Sequence, residues 1–380
     1  MIDRILRSEI ERRWDSGKAI IILGPRQVGK TTLLRQICSE KGTFLFLNGD
    51  DRTLVQHLEN ANEALLRQII GKHKTVFLDE AQRVRGVGLT LKIITDQMPD
   101  VRLLVSGSSS LDLATELNEP LTGRKWEFYL YPISWSELVQ SKGFLEARGQ
   151  LEQRLVFGMY PEVINQTGDE REVLGQLSGS YLYQDVLQYG NIRKPELLEK
   201  LLTALALQLG AEVSYNELSQ LLQVDRQTVE QYISLLEKAF IIFRLKPLSR
   251  NLRNEIGSSR KIYFYDNGIR NAILADFKQP ALRSDIGALW ENFLVSERRK
   301  LLEYQRMWHK SYFWRTYQQQ EIDYIEESDG AFSAWEMKWN PKRKAKFPET
   351  FLNAYHPAAT TVLHPGNFES FLGLDFSSAT

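Results

Sequence analysis

Gly24-Pro25-Arg26-Gln27-Val28-Gly29-Lys30-Thr31 is the stretch that decides how this chain is read. It follows an apolar, β-forming run at residues 18–23 and opens a helical pattern at 31–39. Glycine at both ends of such a loop lets the backbone turn tightly. Successive N–H groups then form a concave nest for an anion, and the start of the helix adds its dipole. Lys30 supplies a point charge to the β- and γ-phosphates of a nucleotide, and Thr31 a hydroxyl ligand for Mg²⁺. The stretch satisfies the G-x-x-x-x-G-K-[ST] phosphate-loop pattern in full and in the required strand-to-helix context. ATP with Mg²⁺ is therefore the expected cofactor, held by Gly24, Pro25, Arg26, Gln27, Val28, Gly29, Lys30, Thr31 and Thr32.

Outward from the loop, short apolar runs alternate with helical patterns. Strands are expected at 18–23, 43–47, 75–78, 101–105 and 127–131, and helices at 31–39, 63–70 and 89–97. That alternation implies an α/β fold with a parallel sheet and helices on both faces. The third strand runs through Thr75-Val76-Phe77-Leu78 into Asp79-Glu80. Both carboxylates thus emerge at the C-terminal edge of the sheet, where open α/β folds bind ligands. Asp79 is expected to hold Mg²⁺, and Glu80 to polarise the attacking water as a general base. Val105-Ser106-Gly107-Ser108-Ser109 ends the next strand beside them. Ser106 and Ser108 are equal candidates for a hydroxyl that senses the γ-phosphate or orients the water; an ordinary polar turn would read the same way.

A chain of 380 residues is too long for one ordinary core, so two or three domains are expected. Hydrophobic residues at 43% and charged residues at 25% are ordinary globular values and leave only 377–380 looking like a tail. The 48 basic and 48 acidic side chains cancel, so any nucleic-acid surface has to be a local patch. The single cysteine, Cys38, excludes an internal disulfide and cysteine-rich zinc sites, and fits a reducing compartment. Residues 1–10 interleave Arg4, Arg7 and Glu9 with Ile2, Ile5 and Leu6, an amphipathic helix in place of a signal peptide. The longest apolar runs are far too short to span a bilayer. A soluble, cytoplasmic chain with no membrane partner is expected.

The middle of the chain changes character. Residues 151–163 and 174–189 read as helices, and Pro195 opens a helix-rich stretch. Residues 214–222 form a short helix, Asp225 caps another running to about Lys238, and 241–245 is a strand. Helix, tight turn, helix, strand is the order of a winged helix-turn-helix, although a plain helical bundle fits the same pattern. A strand at 262–265 and a helix at 286–302 follow, and short strands then return. The expected domains are 1–135, 136–260 and 261–380.

Together, the loop in GPRQVGKTTLL, the FLDEAQ at 77–82 and the VSGSSS at 105–110 resemble a large bacterial and archaeal family of AAA+-type P-loop ATPases. Its members carry a C-terminal domain long labelled as of unknown function. The likeness continues through Leu130-Tyr131-Pro132-Ile133-Ser134, Gly158-Met159-Tyr160-Pro161-Glu162 and Tyr181-Leu182-Tyr183-Gln184-Asp185-Val186, and resumes at Lys261-Ile262-Tyr263-Phe264-Tyr265-Asp266-Asn267-Gly268. The resemblance implies an AAA+ module, a winged-helix segment and a C-terminal α/β domain of restriction-endonuclease-like fold. It implies no agreed biological role. In AAA+ rings an arginine near the position of Thr122-Gly123-Arg124 often reaches the neighbouring subunit's γ-phosphate. Arg124 is accordingly a candidate for that role in a homo-oligomer, or for one within its own subunit, and Arg26 for contact with phosphate or a neighbour.

Near the C-terminus, Glu321-Ile322-Asp323-Tyr324-Ile325 and Trp335-Glu336-Met337-Lys338-Trp339 read as two strands joined through the hairpin signal Ser328-Asp329-Gly330. Glu336 and Lys338 lie two apart and face one side, with Asp323 and Glu321 able to lie beside them. This is the D…ExK arrangement of PD-(D/E)XK nucleases, in which two carboxylates hold Mg²⁺ or Mn²⁺ and the lysine orients water. Glu291, on a helix at 288–299, matches the additional helical acid of many such enzymes. Two basic groups, Arg244, Lys246, Arg250, Arg253, Arg260 and Lys261, then Lys342, Arg343, Lys344 and Lys346, suggest phosphate-backbone contacts and DNA as a partner. The favoured function is an ATP-hydrolysing ATPase coupled to a DNA-binding, nuclease-like C-terminal module. A regulatory or signalling switch with a catalytically inactive, protein-binding C-terminal domain is the alternative, and a motor that remodels proteins is a third.

Overall fold

A computed structural model describes residues 2–108, 120–181, 195–249 and 260–374. The chain divides into two compact units, the first built on Met1–Ile133 and the second on Ser134–Ser180, Ile192–Glu237 and Ile241–Thr380.

In the first unit, β1 (Ala19–Leu23), β2 (Leu45–Asn48), β3 (Thr75–Asp79), β4 (Arg102–Gly107) and β5 (Lys125–Tyr129) form one sheet in the order β2-β3-β4-β1-β5. Every ladder is parallel. Strands covered on both faces need continuous apolar character, and β1 and β3 are buried at all their positions. Because the strands run the same way, Leu23, Asp79 and Gly107 end at one edge, next to the loop that leads into α2. The helix α1 spans Leu6–Arg12, and α2 spans Lys30–Lys41, burying Leu33, Leu34, Ile37 and Cys38. The helix expected at 63–70 is found as Glu63–Ile70, capped by Asn62, whose side chain accepts from Leu65 N. The fifth strand begins two residues earlier than expected, because Lys125 pairs with Ala19 and Tyr129 with Leu23. A helix that periodicity did not reveal, Arg52–Leu58, is capped by Asp51.

In the second unit, the single helix expected at 151–163 is two, Leu151–Phe157 and Pro161–Asn165. Gly158 breaks it, with φ +75° and so little room that a Cβ would lie 2.0 Å from the Asp266 carboxylate. The second expected helix is seen as Glu170–Gln176 and a π-turn at Leu177–Tyr181, and its remainder lies outside the described residues. Next come a helix Pro195–Leu207, β6 (Glu212–Val213), helices Tyr215–Leu222 and Arg226–Lys238, β7 (Ile242–Pro247) and β8 (Arg260–Phe264). Asp225 caps the helix Arg226–Lys238 as expected, accepting from Thr228 N at 2.8 Å.

Four further strands, β9 (Lys310–Arg315), β10 (Glu321–Ser328), β11 (Ala331–Met337) and β12 (Ala359–Leu363), join these in a seven-stranded sheet ordered β12-β11-β10-β9-β7-β8-β6. β10 and β11 form the expected hairpin, with Ser328 paired to Ala331. Asp329 and Gly330 both adopt positive φ, 50° and 79°, as a two-residue type I′ turn requires. β7 pairs with β9 in parallel, so one sheet crosses residue 260. The helix Ile286–Tyr304 is pinned to β8 by Asn292, whose side chain accepts from Phe264 N at 2.8 Å and donates to Phe264 O at 3.0 Å. Among the described residues no helix is long and apolar enough to cross a membrane.

Candidate functional site

The loop after β1 has the backbone its glycines predict. Gly24 adopts φ +151° with Leu130 so close that a Cβ would lie 2.0 Å from its carbonyl oxygen, which no side chain could tolerate. Gln27 at φ 59° and Gly29 at φ 94° add the left-handed steps of an anion nest. Lys30 is buried, and its Nζ donates to the carbonyls of Gly24 at 2.8 Å and Pro25 at 2.7 Å. The Thr31 hydroxyl donates to Asp79 Oδ1 at 3.1 Å, and the buried Ser106 hydroxyl donates to the same oxygen. One carboxylate oxygen thus gathers both hydroxyls into an oxygen-rich set suited to a hard cation. Thr32 lies exposed in the first turn of α2, Arg26 is half-buried, and Val28 is fully buried.

Glu80 sits one residue beyond β3 in the left-handed region, φ 51° and ψ 43°. Gly49 closes the neighbouring strand end so tightly that a Cβ there would lie 2.3 Å from Glu80 O. Gln82, which the motif contained but the sequence reading gave no role, donates to Glu80 Oε2 and, at 2.8 Å, to the Ser108 hydroxyl. The two serines are therefore distinguished: Ser106 serves Asp79, and Ser108 joins the Glu80 side. Ser109 lies outside the described residues. Arg124 does not join this group. It immediately precedes β5 at the opposite edge of the sheet, where its carbonyl accepts from Ala19 N at 2.9 Å and its Nε donates to Asp96 at 2.5 Å.

In the second unit the hairpin register brings Asp323 beside Glu336 and Lys338. Lys338 Nζ lies 3.2 Å from Asp323 and 2.6 Å from Glu336, and Asp323 Oδ2 also accepts from Met337 N at 2.7 Å. Glu291 approaches from the helix Ile286–Tyr304, but two residues that the sequence reading did not assign to the site engage it. Lys261 Nζ lies 3.0 Å from Glu291 and 2.6 Å from Glu321, and the Tyr263 hydroxyl donates to Glu291 at 2.7 Å. Lys261, expected on a basic surface, is in fact 1% exposed and turned into the acidic cluster. The alternation of β8 was the available signal, since it sets Lys261 and Tyr263 on one face. Of the other basic residues, Arg244 is held by Glu237, Lys246 and 342–344 are exposed, and Arg250 and Arg253 lie outside the described residues.

Burial, reinforced by the Asp323 charge, pushes Glu336 up to about 7. Burial likewise pushes Glu291 up to about 7 against the pull of Lys261. Burial opposes the charge on Lys261, yet Glu291 and its acidic neighbours hold its pKa well above the ordinary value. Among the described residues no three acidic, histidine or cysteine side chains stand together as a ready metal cage.

Three family models match: an AAA domain over residues 16–139, a domain of unknown function (DUF8612) over 148–280, and a domain of unknown function (DUF4143) over 286–376. An uncharacterized protein of Mycobacterium tuberculosis is 27% identical over 341 residues, covering 87% of this chain and 72% of its own. Another, of Methanocaldococcus jannaschii, is 26% identical over 330 residues, covering 80% and 72%. Among solved structures, the Walker-type ATPase of Pyrococcus abyssi aligns over 72% of this chain and 96% of its own, with a TM-score of 0.49 and 18% identity. The family match over 16–139 coincides with the phosphate loop, the paired acids and the parallel sheet that carries them, so the first unit is an AAA-type ATPase domain, and its chemistry is ATP binding and hydrolysis.

Proposed function

We propose that ATP turnover in the first unit controls a DNA-binding, nuclease-like module formed by the second. In the ATP site, Thr31 and Asp79 would hold Mg²⁺, Lys30 and the loop N–H groups would hold the phosphates, and Glu80, steered by Gln82, would take the proton of the attacking water. Ser108 stands on the Glu80 side as the γ-phosphate sensor. The observation that carries the second half is the convergence of Asp323, Glu336 and Lys338 on one hairpin face. Asp323 and Glu336 offer hard oxygens that fit Mg²⁺ or Mn²⁺; Glu291, engaged by Lys261 and Tyr263, belongs to the rim of that site. The order helix, β6, helix, helix, β7, β8, with β8 between β7 and β6, supports the winged-helix reading. On this view 1–135, 136–260 and 261–380 are functional segments, and segment 136–260 reads DNA.

The experiment is ATP turnover with and without double-stranded DNA at two salt concentrations, together with cleavage assays of wild type and Asp323→Ala in Mg²⁺ or Mn²⁺. DNA-stimulated, salt-sensitive turnover and cleavage lost in Asp323→Ala are expected. Stimulation without any cleavage would leave a DNA-responsive switch, and neither would remove the DNA reading altogether. One observation favours the alternative, an inactive protein-binding platform. Lys261 and Lys338 each stand between two carboxylates, so the cluster's own side chains already supply one cation for every two acids.

A further inference from the structure

Arg4 lies ahead of the ATPase fold in sequence, where it reads as one charge on the polar face of an amphipathic helix. The structure gives it a different place. Ile2, Leu6 and Ile10 are buried and anchor the N-terminal segment, which leaves Arg4 half-buried two residues before α1. Its guanidinium spans two backbone carbonyls from distant parts of the first unit. Nη1 donates to Val28 O at 2.6 Å and Nη2 donates to Tyr131 O at 2.6 Å.

Both acceptors belong to the phosphate loop or its wall. Val28 precedes Gly29, the left-handed residue from which α2 starts. Tyr131 follows Leu130, whose carbonyl fills the space a side chain at Gly24 would need and whose N–H donates to Leu23 O at 2.8 Å. In a planar trans peptide, C=O and N–H point in opposite directions. Fixing Val28 O on the guanidinium therefore fixes the Gly29 N–H on the other side, as a donor of the anion nest. The second bond ties that peptide to the strip against which Gly24 packs, so one rigid fork braces both ends of the loop.

We infer that Arg4 is a positioning residue for nucleotide phosphate: it holds the phosphate loop in its binding conformation from outside and never touches the ligand. Because the nest serves the phosphates before and during hydrolysis, losing the brace weakens binding uniformly and changes KM more than kcat. The inference rests on nucleotide being held by the loop Gly24 to Thr31, and Lys30→Ala serves as the control for that.

The test uses the full chain with Arg4→Met and Arg4→Lys, measuring ATP affinity by calorimetry, steady-state ATPase kinetics, and the melting temperature without nucleotide. Arg4→Met should raise the ATP Kd and KM by about tenfold, the scale of one charge-assisted hydrogen bond. Its kcat should stay within about threefold of wild type. Arg4→Lys, with one point of attachment in place of a fork, should fall between the two, and it carries the test if Arg4→Met does not fold. A lowered melting temperature with Kd and KM unchanged would show that Arg4 only fastens the N-terminal segment, and would overturn the inference. If Lys30→Ala abolishes binding and both Arg4 variants bind as wild type, the role of Arg4 fails and the loop assignment stands. Were Lys30→Ala to keep full affinity, the loop assignment itself would fall and the role of Arg4 with it.

Discussion

Glu80 occupies a backbone conformation that costs a residue with a side chain of order 1 kcal/mol, and such strain persists only where the surroundings fix it. Here Gly49 and Gln82 fix it. Glu80→Gln should retain ATP binding by calorimetry and lose about 10² to 10⁴ in kcat, the usual contribution of a general base. Wild-type turnover would move the base elsewhere. Lys261 makes a contrasting case, because burial and not chemistry defines it. Lys261→Met would leave Glu291 and Glu321 without their cation, and breaking a buried pair costs about 3–5 kcal/mol. Urea unfolding should show that loss, and Lys261→Met combined with Glu291→Gln should recover part of it. A change within about 0.5 kcal/mol, the range of an ordinary surface substitution, would return Lys261 to the surface.

At the level of elements, the hairpin β10–β11 and the helix Ile286–Tyr304 press Glu336 and Glu291 into one cluster with Asp323, Glu321, Lys261, Lys338 and Tyr263. Glu291 and Glu336 both titrate near 7 when folded, above their ordinary range. Between the unfolded value and about 7 the folded chain binds more protons than the unfolded one. These two groups therefore make stability fall as pH rises through that window, with no further loss above it. Urea midpoints at pH 5 and pH 8 should show a smaller decline for Glu291→Gln than for wild type, and equal declines would remove Glu291 from the account. The hairpin was legible because Asp329-Gly330 and strict alternation are local signals. The phosphate loop and β3 were legible for the same reason. What a sequence does not show is register between distant strands. Lys261 looked like part of a basic patch because its partners, Glu291 and Glu321, lie 30 and 60 positions away. The break at Gly158 did carry a local signal, a glycine cap at φ +75° with Pro161 opening the next helix, and the apolar periodicity of 151–163 masked it.

For the whole molecule, Arg124 raises the question of whether one chain is a complete enzyme. It lies at the edge of the sheet opposite the phosphate loop, and the five residues of β1 between them span about 16 Å. Arg124 cannot serve the loop of its own chain, so any catalytic role is in a neighbour. In that case, hydrolysis per chain should rise with protein concentration, and mixing Arg124→Ala with Lys30→Ala chains should restore activity that neither has alone. A fully active monomer would end that role.

The parallel pairing of β7 with β9 bears on how the molecule can be divided in the laboratory. A fragment cut out at 195–264, around the two short helices and β6, β7 and β8, would leave the Lys246–Pro247 edge without Tyr312 and Phe313 and expose an unpaired strand to its neighbours in solution. The same cut would strip Lys261 of both its acids. Such a fragment should aggregate, whereas one beginning at Ser134 and carrying the seven-stranded sheet intact should remain dispersed in gel filtration. The smallest piece on the C-terminal side that keeps every strand paired is the entire second unit, so β6, β7 and β8 are inherited with the acidic hairpin in one sheet.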